Sequence, residues 1–126
     1  MLRELIAVGL GGMLGSMARY AMSSLWLAGC SAGAFPTGTF SVNAVGSLAI
    51  GFLMASMPQG SWYWFAVTGV CGGFTTFSTF SADAVRLFRQ GQTSAAMTYV
   101  VASVAVCLLC TLAGIWLATR LKSRIG

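Results

Sequence analysis

Rings and hydroxyls are interleaved in one stretch of this chain, Gly69-Val-Cys-Gly-Gly-Phe-Thr-Thr-Phe-Ser-Thr-Phe-Ser81. Phe74, Phe77 and Phe80 recur every three residues, and Thr75, Ser78 and Ser81 follow each of them by one. At about 100° per residue each repeat drifts by about 60°, so both sets wind slowly over neighbouring faces of a helix. A phenylalanine every third residue usually means packing, but the coincidence with hydroxyls points to a specific chemistry. A small anion that sheds its water needs hydroxyls, amide N–H groups or the positive edges of aromatic rings. Phenylalanine supplies an edge without a competing acceptor atom. Three other places add polar groups to an apolar background. Asn43 brings amide donors, Arg19 a positive charge, and Ser103, Cys107 and Thr111 form an i, i+4, i+8 stripe.

The elements that hold these residues are membrane helices. Of 126 residues, 57% are hydrophobic and 7% charged, against about a quarter charged in soluble domains. One membrane domain, residues 1–126, is expected, with spans of about 5–27, 39–57, 62–88 and 95–118, each near the length that crosses a bilayer. Pro36 and Pro58 fall at span boundaries. Gly11 with Gly15, Gly12 with Ser16, and Ser47 with Gly51 have the small-xxx-small spacing that lets helices approach closely. Gly72-Gly73 interrupts the third span, and such a break at membrane depth must be buried in protein or line a cavity. It exposes carbonyls of the preceding half-helix, which can coordinate a cation, and an N-terminal half-helix end that favours anions.

Composition excludes several classes. The net charge of +5 comes from few basic residues near span ends, with Arg120, Lys122 and Arg124 reading as a membrane-surface anchor rather than a nucleic-acid patch. The sequence has no histidine, and Cys107-Leu-Leu-Cys110 lacks a second ligand pair, so Cys30, Cys71, Cys107 and Cys110 read as small apolar residues. Glu4 and Asp83 lie at span ends, leaving no mid-membrane carboxylate for proton coupling. Catalytic and nucleotide motifs are missing. With four spans the termini share a side bearing Arg3, Arg120, Lys122 and Arg124, while Arg86 and Arg89 lie opposite, with Arg19 approaching that side. Such a weak positive-inside bias is compatible with insertion in both orientations and an antiparallel dimer.

GGFTTFSTFS, preceded by Gly38-Thr-Phe-Ser-Val-Asn43 and by Gly-Ser-Met-Ala-Arg19-Tyr, resembles the Fluc (CrcB) fluoride channels over the whole chain. The resemblance implies an all-α integral membrane fold: four transmembrane helices per subunit, a broken third helix, and an antiparallel dual-topology homodimer in the inner membrane. It implies two separate pores that passively export fluoride, protecting a cytoplasm that fluoride enters as HF. The pore residues would be Asn43, Phe77 and Phe80, with Thr76, Ser78 and Ser81 from the same motif. Ser103, Cys107 and Thr111 would form the polar track of the fourth span, and Arg19 the vestibule cation. A structural sodium ion at the dimer centre would be held by the backbone carbonyls of Gly72 and Thr75. Cys107 stands where many members carry serine, a stronger donor, Asp83 where glutamate is common, and Phe74 where leucine is frequent. The alternatives are a four-span proton-coupled antiporter and a non-transporting assembly subunit.

Overall fold

The structure, a computed structural model, describes residues 1–29 and 35–126, and every regular element among them is helical. Helix α1 spans Leu2–Gly29, and Glu4 in its first turn pairs with the terminal amine at 3.4 Å. Helix α2, Thr37–Ser56, starts directly after Pro36. It stops at Met57, whose backbone is extended (φ −106°, ψ 134°) because the following proline disfavours helical geometry. Helix α3 covers residues 61–74. It begins as an α-helix at Ser61–Tyr63, widens to π geometry over Trp64–Cys71, and closes as an α-helix at Gly72–Phe74.

Helix α4, Phe77–Arg89, ends in a left-handed Gly91 (φ 77°). Gly91 N–H and Gln92 N–H bond back to Phe88 O and Leu87 O, the arrangement that satisfies carbonyls at a helix end. Helix α5, Thr93–Ile125, runs seven residues beyond the expected limit at 118, because the basic tail around Arg120, Lys122 and Arg124 continues the helix. The expected connection before α2 falls partly on residues outside the described set, as does Cys30. Cys71, Cys107 and Cys110 are free thiols.

One expectation is corrected. Gly72 and Gly73 are helical (Gly72 φ −64°, ψ −37°), and the extended backbone falls at Thr75 (φ −80°, ψ 157°) and Thr76 (φ −148°, ψ 115°). The reason lies in packing. A Cβ on Gly73 would stand 2.6 Å from Gly12 O, so that glycine permits close approach of α1 rather than a bend.

Two helix pairs are zipped by such contacts. Helix α1 lies parallel to α3: Cβ atoms on Gly11 and Gly15 would strike Phe65 O and Val70 O of the π segment. Helix α2 lies parallel to α5: a Cβ on Gly51 would strike Thr111 O, and one on Gly114 would strike Leu48 O. Lys122 Nζ ties off the second pair by donating to Ala55 O at 2.6 Å. Helix α4 packs on α5 through Phe80, Ala84, Leu87, Ala96 and Tyr99. Outside these seams the helices expose Leu5, Leu10, Val101, Leu108 and Leu112. An apolar exterior around a small core is the inverse of a water-soluble domain. Helices α1, α2 and α5 are each long and apolar enough to cross a membrane. At 14 and 13 residues, α3 and α4 fall short singly.

Candidate functional site

The extended backbone at Thr76 leaves its N–H without a helical acceptor, and α2 supplies the partner. Thr76 N–H donates to Asn43 Oδ1 at 2.8 Å, and Asn43 Nδ2 donates to Thr76 O at 3.1 Å. Asn43 thus stands in for a neighbouring strand, and the donor on Thr76 fixes which way its amide points. One of its two N–H groups remains. Thr75 N–H and Thr75 Oγ1 both bond to Cys71 O at 3.0 Å, and the Thr75 methyl seats against Gly46, where a Cβ would collide with it. Thr76 caps α4: its Oγ1 accepts from Thr79 N at 3.2 Å and donates to Thr79 Oγ1 at 3.1 Å.

Beside this pair lies an open cavity of about 320 Å³, lined by Asn43, Ser47, Ile50, Thr75, Thr76, Phe77, Phe80, Ser103, Val104 and Cys107. Residues from α2, α4 and α5 and the extended pair therefore converge on one space. Phe77 and Phe80 are adjacent, with ring centroids 5.5 Å apart, but they differ in setting. Phe80 is 9% exposed and stacks near Tyr99, whereas Phe77 is 77% exposed. Ser103 is only 5% exposed, and its Oγ is buried with no hydrogen-bond partner among the described residues. Buried hydroxyls almost always have a partner, and one without costs about 1–3 kcal/mol.

Other sequence-derived candidates lie elsewhere. Ser78 is exposed, with its Oγ 3.2 Å from Thr76 Oγ1. Ser81 donates to Phe77 O at 3.0 Å and lines a separate groove with Arg86 and Arg89. Thr111 is engaged at the α2–α5 seam, reaching Ser47 O at 3.2 Å and Cys107 O at 3.0 Å. Arg19 is half-buried away from the cavity lining, and its Nε donates to Gly73 O at 3.1 Å. Gly72 is exposed, and a Cβ there would meet nothing within 4 Å. Its carbonyl lacks the usual helical donor because Thr76 N–H is held by Asn43.

Tyr99 was not anticipated. It is fully buried, its ring packs on Phe80 and Phe35, and its hydroxyl donates to Asp83 Oδ2 at 3.4 Å. Asp83 also pairs with Arg86 at 3.2 Å. The signal was present in the spacing, since Tyr99 precedes Ser103 by one helical turn in the same stripe.

Known proteins provide the remaining evidence. Residues 6–115 match the family described as "CrcB-like protein, Camphor Resistance (CrcB)". A Rhizobium meliloti protein named "Fluoride-specific ion channel FluC" is 43% identical over 121 residues, covering 90% of this chain and 94% of that protein. A Cereibacter sphaeroides protein of the same name is 46% identical over 118 residues, covering 90% and 93%. One from Elusimicrobium minutum is 40% identical, covering 86% and 88%. With its apolar helices, glycine-zipped seams and matched motifs, the chain is a multi-pass membrane protein that belongs to the CrcB family.

Proposed function

We infer that this protein is a fluoride-selective passive channel that lets fluoride leave the cytoplasm and so confers resistance to it. The observation that carries the reading is the buried Ser103 hydroxyl, which has no partner among the described residues, on a cavity shared with Asn43 and Phe80. Fluoride accepts hydrogen bonds and donates none. Ser103 O–H and the remaining Asn43 N–H offer donors, and the Phe77 and Phe80 rings offer positive edges. The cavity lining holds no carboxylate that could couple movement to protons, which favours diffusion. The names carried by the similar proteins agree with this substrate. In this reading Cys107 is a weak donor on the same wall, Thr76 and Ser81 hold backbone of α4 in place beside the path, Ser78 bonds the Thr76 hydroxyl, and Thr111 fastens the α2–α5 seam.

The reading includes four spans in one domain, the third formed by α3 and α4 around Thr75–Thr76, inserted in the inner membrane in both orientations. Two subunits would assemble antiparallel. The exposure of Phe77 supports this, because a ring that is 77% open in one chain needs a further wall to enclose a dehydrated ion. Exposed Gly72 supports it too. Its carbonyl has no helical donor, and the open space at its missing Cβ lets another backbone approach. Backbone oxygens suit a hard monovalent cation, so the Gly72 and Thr75 carbonyls would hold the sodium ion. When bound it would supply fixed positive charge at the subunit junction.

The test is efflux from liposomes carrying the purified protein, followed with a fluoride electrode beside chloride-loaded controls. Fast fluoride loss with retained chloride is expected. Equal loss of both anions, or proton-coupled uptake, would reject the reading.

A further inference from the structure

Arg19 does not line the cavity, and its bonding assigns it a different task. Its Nε donates to Gly73 O at 3.1 Å, and Ser16 Oγ, one turn earlier on the same helix, lies 3.5 Å from that oxygen. Gly73 O needs this partner. Its helical donor would be the N–H of residue 77, which lies beyond the extended Thr75–Thr76 pair. The close approach at Gly12, Gly15 and Gly73 brings α1 against the end of α3 and so delivers Arg19 to that carbonyl. A positive group at the carboxyl end of a helix is also favoured by the helix dipole.

The extended pair is therefore gripped from two sides. On one side α1 holds Gly73 O through Arg19, and on the other α2 holds Thr76 N–H and C=O through Asn43. Only Phe74 and Thr75 lie between the two grips. We propose that Arg19 is a positioning residue, whose Nε–H fixes the end of α3 and thereby the backbone that orients the Asn43 amide. This deepens the fluoride-channel reading and rests on it for the transport measurement.

Two substitutions separate a donor from a charge. Arg19→Gln places an amide nitrogen at the Nε position and deletes the charge. Arg19→Lys keeps the charge and puts a methylene there. If Nε–H is what matters, the glutamine variant keeps the fluoride-to-chloride efflux ratio within about twofold, whereas the lysine variant loses about fivefold or more. The opposite ranking, lysine preserved and glutamine impaired, would show that Arg19 acts as an anion-attracting charge. An unchanged ratio in both would show that it does not position the site.

Hydrogen exchange at the Thr76 amide, measured in the same samples, does not depend on transport. Faster exchange by about fivefold in the lysine variant, with near-normal protection in the glutamine variant, is expected. Equal protection in both would overturn the proposal even if the channel works. If the wild type moves no fluoride, the exchange result still decides Arg19 while the channel reading falls. Failure of the lysine variant to fold beside a folded glutamine variant would also support the donor role.

Discussion

Ser103 and Thr111 lie eight residues apart on one face of α5, yet their hydroxyls are in opposite situations. Thr111 reaches the backbone of both α2 and its own helix, leaving its hydroxyl satisfied. Ser103 finds no hydrogen-bond partner among the described residues and borders the cavity. The cause is the distance between helices. Gly51 and Gly114 press α2 and α5 backbone to backbone near Thr111, whereas Asn43, Ser47 and Ile50 occupy the space near Ser103. The same residue class becomes mortar at one end and an unsatisfied donor at the other. A polar stripe in a membrane helix is therefore informative only once the spacing to its neighbour is known.

The seam should be the more fragile region. Gly51→Val drives a side chain into the Thr111 carbonyl, and overpacking of this kind costs about 3 kcal/mol. Thermal unfolding in detergent should show the loss, and a stable Gly51→Val protein would undo the idea of a glycine-set seam. Next in size is Asn43→Ala, which strips partners from Thr76 N–H and C=O and should cost about 2 kcal/mol with transport abolished. Asn43→Asp keeps the acceptor and adds negative charge, so a folded protein with little fluoride efflux is expected.

Ser103→Ala sharpens the contrast most directly. It removes an unpartnered buried hydroxyl, so stability should hold or rise by up to about 1 kcal/mol while fluoride efflux falls about tenfold. Lower stability together with unchanged efflux would mean that Ser103 belongs to the packing after all. The smallest effect is Thr111→Val, with a loss of about 1 kcal/mol and no change in efflux. Reduced efflux without reduced stability would place Thr111 on the ion's path instead of in the seam.

Much of this was legible in the residues. Apolar segments announce membrane helices, and Gly11 and Gly15 mark a close helix contact that the backbone makes. The motif around Phe77 and Phe80, with Asn43, pointed to the residues that gather at the cavity. The sequence points to a break at Gly72-Gly73 while the backbone extends at Thr75-Thr76, because glycine permits both a bend and a close approach, and sequence does not say which is used. Thr76 looked like one hydroxyl among several, though its backbone is what Asn43 holds. The roles of Ser81 and Thr111 depend on carbonyls four residues back or on another helix, which a pattern of residue types does not reveal. The π winding over Trp64–Cys71 has no recognisable sequence marker here.

The two grips on Thr75–Thr76 also bear on how the protein is made. A helix can enter a bilayer alone, since it satisfies its own backbone. The joint between α3 and α4 cannot, because its partners arrive from α1 and α2. If α3 and α4 together form one span, residues 61–89 would reach this joint only once both earlier helices are alongside, and deleting the Arg19 and Asn43 bonds together would leave the joint without either grip.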